Sequence, residues 1–291
     1  MLGESVPTVS VIMPVYNGGS TLQLAVQSVL LQEFSDFELL VIDDGSSDGC
    51  IEMLSSLQDA RLKIVRQKHG GLVAALNNGV RQSRGRYIAR HDQDDVSFPQ
   101  RFTKQVAFLE DNPKVDLLGT RAIVFINYGE VVGLLPFKAT HESLTSSLWF
   151  GIPLPHPTWM GRREWFLRNL YCVPEALRAE DQELLLRASF TSCYACLADV
   201  LVGYRQGAFK FARTISTRVS VLKMQVKIFM SRGLWFDLLC CVGIIAIKVM
   251  LDVATTAIGS SKLWFLRMNL KANASDQVIL HELLSKSPSI P

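Results

Sequence analysis

Val9-Ser-Val-Ile-Met-Pro-Val15, followed by Tyr16-Asn-Gly-Gly19, is the stretch on which the reading of the fold turns. The run is short, continuous and rich in β-branched residues, as suits a strand buried on both faces. It stops at a loop signal, and apolar residues then recur at helical spacing through Leu22, Ala25, Val26, Val29 and Leu30. The same unit returns downstream. Phe37 to Ile42 reads as a second strand and stops at Asp43-Asp44-Gly45-Ser46-Ser47-Asp48, where acids and glycine turn the chain and cap the next helix. Leu62 to Val65 makes a third strand and Leu72 to Val80 a helix. Tyr87 to Ala89 makes a fourth strand that ends at His91-Asp92-Gln93-Asp94-Asp95. Strands alternating with helices imply right-handed crossovers and a mostly parallel central sheet with helices on both faces.

In such a sheet, ligands bind outside the carboxyl ends of the strands. Tyr16, Asp43, Asp44, Asp92 and Asp94 all follow strand ends, so the topology gathers them on one rim. Several carboxylates crowded there repel one another, and a bound cation relieves the repulsion. Oxygen ligands suit Mn²⁺ or Mg²⁺, which share their sites with substrate phosphates. In isolation an acidic loop is turn chemistry; its position after the fourth strand makes it a candidate site.

Beyond the acidic loop, Pro99 to Asn112 reads as an amphipathic helix and Val115 to Phe125 and Glu130 to Leu135 as strands. A helix is expected near His141 to Phe150, another from Glu180-Asp181 to Ala188, and a buried strand from Ser192 to Val202. No Walker loop, GxGxxG or GxSxG is present, which lowers the case for a nicotinamide enzyme. Cys193 and Cys196 form a CxxC without a second pair; on a strand they face opposite sides, so they read as packed thiols rather than metal ligands.

The 291 residues carry a net charge of +3, which conceals an asymmetry. From Arg205 onward there are 12 Lys/Arg against 4 Asp/Glu, a balance of +8, leaving 18 against 23, a balance of −5, for residues 1–204. An acidic head with a basic, apolar tail does not suit a nucleic-acid binder and points instead to an anionic membrane surface. Ile215, Val219, Leu222, Val226 and Phe229 recur at helical spacing, and Leu234 to Leu251 is strongly apolar. Its uncharged stretch, Leu238 to Ile247, is ten residues long, whereas a spanning helix needs about 20. A monotopic or re-entrant segment is one reading, and a helical pair closing the core or forming a homodimer contact is the other. Met1 to Pro7 shows neither a basic nor an apolar leader region, so the head is expected at the cytoplasmic face of the membrane. The expected division is a head, 1–211, and a tail, 212–291.

The motifs together resemble family 2 glycosyltransferases of the GT-A fold. The matching segments are Val9 to Asn17, Phe37 to Asp48, Asn77-Asn-Gly-Val80, Gly85 to Asp95, Pro99-Gln-Arg-Phe102 and Glu180-Asp181, spanning roughly residues 8–206 in the family's order. The resemblance implies that Tyr16 and the backbone at Pro14 line a base pocket and that Asp44 accepts a hydrogen bond from a uracil ring. It implies that Asp92 and Asp94 form the DxD motif. Asp94 would be the direct metal ligand, with Asp92 on the ribose or a metal-bound water. Asp181 would be the general base of an inverting single displacement, and Arg205 would hold the diphosphate. His69 stands where the pattern favours asparagine. Arg90 and Arg101 are phosphate ligands or structural ion-pair partners, and His156 lines the acceptor side or is structural.

The implied enzyme moves a sugar from a UDP-type nucleotide sugar to a glycan or lipid-linked acceptor in bacterial surface-polysaccharide synthesis. A sugar nucleotidyltransferase and a catalytically silent nucleotide-binding subunit are the alternatives. Glu180-Asp181 and the lack of a glycine-rich activating loop disfavour the first, and the retained Asp44, Asp92, Asp94 and Asp181 disfavour the second.

Overall fold

The computed structural model describes residues 6–127, 129–172, 179–207, 210–258 and 270–285. The leader reading at residues 1–5 and the end of the tail, 286–291, lie outside these. Among the described residues one sheet holds β1 (Val9–Val15), β2 (Phe37–Asp43), β3 (Leu62–Arg66), β4 (Tyr87–Arg90), β5 (Val96–Ser97), β6 (Leu117–Ile126), β7 (Glu130–Leu134), β8 (Met160–Arg162) and β9 (Tyr194–Arg205). Their order is β3-β2-β1-β4-β8-β6-β9-β5, with β7 paired to β6 outside that path.

From β3 to β4 every pairing is parallel, as the alternating units require. Beyond β4 the sheet is mixed: β8 is antiparallel to β4 and β6, while β6 and β9 run parallel. The helices are α1 (Thr21–Leu30), α2 (Cys50–Met53), α3 (Leu72–Gln82), α4 (Arg101–Asp111), α5 (His141–Thr145), α6 (Arg163–Arg168) and α7 (Glu180–Ala188). They are followed by α8 (Phe211–Arg232), α9 (Trp235–Ile258) and α10 (Ala274–Ser285).

All seven residues of β1 are buried, because the strand is covered from both sides. Val9, Val11, Met13 and Val15 pack with Val26 and Val29 of α1 and Phe102 of α4. Ile12 turns the other way, onto Val73, Leu76 and Val80 of α3. A Cβ at Gly79 would sit 2.3 Å from the Ile12 side chain, so glycine sets how closely α3 lies on the sheet.

The helix expected over residues 141–150 ends at Thr145. Tertiary partners take the backbone beyond it. The carbonyls of Leu148 and Trp149 accept from Gln225 Nε2, at 3.2 and 3.0 Å, and the Ile152 amide donates to Gln182 Oε1 at 3.0 Å. Such long-range contacts leave no local periodicity to read.

α8 and α9 form a hairpin that turns at Gly233 in the left-handed region (φ +68°). The buried Asp252 of α9 pairs with Arg218 of α8. Met224, Phe229 and Cys241 of the hairpin close a small core with Leu186 of α7, so the hairpin is docked on the head. Leu280 and Leu283 of α10 pack on Ile123 and Phe125 of β6, bringing that helix back to the sheet. No described helix is long and apolar enough to cross a membrane.

Candidate active site

The carboxyl ends of β1, β2 and β4 open into a cavity of about 730 Å³. Pro14, Tyr16, Asp44, Asp92, Asp94, Asp181 and Arg205 all line it, although they span most of the head in sequence. The loops that carry them are tied to one another. The Tyr16 amide donates to Gln93 Oε1 at 2.9 Å, the Asn17 amide to Ser46 Oγ at 3.0 Å, and the Asp44 amide to the Val15 carbonyl at 2.8 Å. Asp43 is turned into its own loop, where Oδ1 accepts from the Ser46 amide at 2.9 Å.

Asp44 is buried and fully engaged. Its Oδ1 accepts from Gln67 Nε2 at 2.7 Å and from the Gly70 amide at 2.8 Å. Its Oδ2 accepts from the Gly71 amide at 2.8 Å and lies 2.9 Å from His69 Nδ1. The carboxylate therefore shapes the loop at residues 67–71, and Gly45 (φ +81°) and Gly71 (φ +85°) supply the left-handed turns beside it. The same loop stacks the His69 ring on Tyr16, with centroids 4.2 Å apart. His69 thus contacts both Tyr16 and Asp44.

Asp92, Asp94 and Asp95 each offer a carboxylate oxygen within 4.8 Å of the others. Asp95 is buried; its Oδ1 accepts from the Arg205 amide at 2.7 Å, while its Oδ2 has no hydrogen-bond partner among the described residues. Burial first, and repulsion from Asp92 second, push the Asp94 carboxyl up to about 6. The same two causes, with Asp94 added, raise Asp95 well above the carboxylate range. Oxygen donors crowded together, one of them orphaned, fit a hard divalent cation. Asp95 is the member that motif spacing passed over; its signal is an orphaned buried oxygen, visible only once β9 is in place.

Arg90 is buried beside Asp92 and pairs with it. Burial works against its charge, but Asp92 holds the guanidinium protonated. Arg101 lies outside the cavity. Its fully buried guanidinium donates to Ser97 Oγ (3.2 Å), Gln105 Oε1 (3.0 Å) and the carbonyls of Arg90 (2.8 Å) and Trp159 (3.2 Å), a structural role. Arg205 Nε donates to the Asp94 carbonyl at 3.0 Å and NH1 to the Asn127 carbonyl at 2.8 Å, with the guanidinium over the Phe125 ring. It braces the acidic loop.

Glu180 and Asp181 open α7 at the cavity wall. Burial, then repulsion from Asp181, raises the Glu180 carboxyl to about 7, and burial raises Asp181 as well. Behind them His156 Nε2 meets Tyr171 Oη at 2.7 Å, and its Nδ1 is 3.9 Å from Glu180 Oε1. Burial, then the nearby Arg90, keeps that imidazole neutral. Arg213 and Thr217 of α8 complete the lining, and nothing in the sequence had tied the tail to the site.

The chain is similar to the O-antigen biosynthesis glycosyltransferase WbnJ of Escherichia coli, 32% identical over 207 residues covering 68% of this chain and 79% of that one. Its fold is shared with S. aureus TarS 1–349, solved in complex with UDP-GlcNAc (TM-score 0.60, 21% identity), covering 76% of this chain and 66% of that one. It is also shared with the mannosyltransferase PcManGT from Pyrobaculum calidifontis, solved with GDP-Man and Mn²⁺ (TM-score 0.58, 15% identity), covering 97% of this chain and 87% of that one. Residues 10–169, more than half of the chain, match the model of glycosyl transferase family 2, and the chain belongs to that family of glycosyltransferases.

Proposed function

We propose that this glycosyltransferase moves a sugar from a UDP-type nucleotide sugar to an acceptor hydroxyl by a single, inverting displacement. The observation that carries the reading is the single cavity onto which Tyr16, Asp44, the acidic loop and Asp181 converge. Tyr16 and Pro14 line the base end, where Asp44 fixes the loop that bounds it. Asp92, Asp94 and Asp95 fit Mn²⁺ or Mg²⁺. When bound, such a cation neutralises the charge that builds on a departing diphosphate. The TarS complex favours a uridine donor by analogy of fold.

Asp181 serves as the base. A buried carboxylate with a raised proton affinity takes a proton from a hydroxyl more readily than an exposed one, provided it is ionised when substrate binds. Its deprotonated oxygen receives the acceptor proton as the acceptor oxygen attacks the anomeric carbon. Neutral His156 and Tyr171 behind Glu180 limit the solvent that reaches this pair.

The acceptor is a lipid-linked glycan of a surface polysaccharide, and the head works at the cytoplasmic face of the membrane. The likeness to an O-antigen enzyme supports the first part. The outer face of α9 supports the second, since Trp235, Phe236 and Leu239 are 64%, 73% and 74% exposed in a C-terminal region whose charge balance from Arg205 onward is +8.

The test is nucleotide release from a panel of nucleotide sugars with Mn²⁺ and lipid-diphosphate-linked acceptors. UDP formed only when donor and acceptor are both present is the expected result. Diphosphate released from UTP and a sugar phosphate indicates a nucleotidyltransferase instead. Nucleotide binding without turnover on any acceptor indicates a silent subunit.

A further inference from the structure

We propose that Arg213, on the first turn of α8, binds a diphosphate at the mouth of the active site and makes the C-terminal hairpin part of the substrate site. The inference rests on the transferase reading above, since it concerns the anionic part of that enzyme's substrates.

Electrostatics carries the argument. Among the described residues five carboxylates line the cavity, those of Asp44, Asp92, Asp94, Glu180 and Asp181, against three arginines. Arg90 is buried and ion-paired with Asp92, although its Nε has no hydrogen-bond partner among the described residues, and Arg205 is held by the carbonyls of Asp94 and Asn127. Arg213 is exposed, and among the described residues its guanidinium has neither a carboxylate nor a carbonyl partner. A nucleotide sugar adds two phosphates to this acidic cavity, and a lipid-diphosphate acceptor adds two more. An uncommitted guanidinium offers phosphate a planar fork of donors.

Packing fixes where that fork stands. Arg213 and Thr217 are four apart on α8 and both line the cavity. The same face continues through Val221, Met224 and Ile228, which pack against Leu186 of α7. α7 itself begins at the cavity with Glu180 and Asp181. Both helices therefore start at the site, and the core they share further along holds Arg213 at the wall. The positive end of a 22-residue helix favours an anion there.

The experiment compares wild type, Arg213→Lys and Arg213→Gln. UDP, UMP and uridine are titrated by calorimetry with Mn²⁺, and acceptor KM is measured with a lipid-diphosphate-linked sugar. If the diphosphate is the donor's, Arg213→Gln weakens UDP binding by about 10- to 100-fold, weakens UMP less and leaves uridine unchanged, with Arg213→Lys between. Unchanged uridine binding shows that the variant is folded. If the diphosphate is the acceptor's, UDP binding holds and acceptor KM rises by a similar factor. If both variants match wild type in UDP affinity and acceptor KM, the inference is overturned while the transferase reading stands. If wild type binds neither UDP nor a UDP-sugar, the transferase reading itself has failed.

Discussion

β1 and α9 are both apolar segments, and they place their side chains in opposite ways. In β1 every residue is buried, and its one polar side chain, Ser10, is hydrogen-bonded to Glu38. In α9 the charged Asp252 is 1% exposed, while Phe236 is 73% exposed and Met250 62%. The strand is finished by helices on both sides. The helix buries its acid against Arg218 and turns its bulkiest apolar side chains outward. A continuous exposed apolar face on a folded domain marks a surface that meets something else. The parallel half of the sheet is thus covered by its own helices, whereas α9, docked on the head along one side, leaves apolar side chains exposed on the other. Catalysis needs rigid loop ends on a closed core, and attachment needs apolar area left open.

The most severe way to break the head's side of this comparison is Asp94→Asn. A neutral amide is a poor ligand for a hard dication, so turnover falls to background and Mn²⁺-dependent UDP binding weakens. Turnover that survives both the substitution and excess chelator removes the metal from the mechanism.

Next in size is Asp181→Asn. Loss of a positioned base lowers kcat by about 10²–10⁴-fold while donor affinity holds. A collapse in donor binding would make Asp181 a structural residue. The pH profile sharpens the point. Burial raises Asp181 above an ordinary aspartate, and burial with repulsion from Asp181 raises Glu180 to about 7, so the proposed base is lost at a higher pH than an exposed carboxylate as pH falls. The acidic limb of kcat therefore lies above the ordinary carboxylate range of about 4. The charge of Asp181 raises Glu180, so Asp181 is already ionised where Glu180 titrates, and Glu180→Gln leaves an acidic limb set by Asp181 alone. A limb that vanishes with this substitution assigns the titration to Glu180 instead.

On the tail's side, the triple change Trp235→Ser, Phe236→Ser and Leu239→Ser reduces flotation with anionic vesicles by roughly tenfold or more, and leaves transfer to a short-chain acceptor intact. High salt weakens the wild-type interaction by screening the basic side chains. A wild-type chain that stays off vesicles at low salt and sediments as a dimer, with the triple variant monomeric, assigns the face to a second copy instead.

Much of the head was legible because strand-end loops in a parallel sheet announce themselves. Val9 to Val15, Phe37 to Asp43 and Tyr87 to Arg90 fall where the apolar runs placed them, and the acids after them share one cavity. Segments whose hydrogen bonds are long-range were not legible. β8 is three residues held between β4 and β6, and the stretch after Thr145 is fixed by Gln182 and Gln225 from elsewhere in the chain. Neither carries a periodicity of its own.

The roles of the arginines divide the same way. Sequence set Arg90 and Arg101 near the acidic loop, because charge and proximity along the chain are visible in it, and the family resemblance singled out Arg205. Their differing fates depend on burial and on backbone carbonyls. Arg101 is enclosed against two carbonyls and two side chains, Arg205 braces the acidic loop, and Arg213 lines the cavity with no side-chain partner among the described residues. By itself the sequence determined the parallel half of the sheet, its rim of carboxylates and the amphipathic, basic character of the tail, because side-chain period and strand-end chemistry are local. Only the tertiary structure decided that Asp95 keeps an orphaned oxygen beside Asp92 and Asp94 and that the tail's first helix walls the site. The first depends on Arg205 of β9 reaching back 110 positions to Asp95, and the second on α8 packing against α7 so that its first turn faces the acidic loop. No local pattern encodes either meeting.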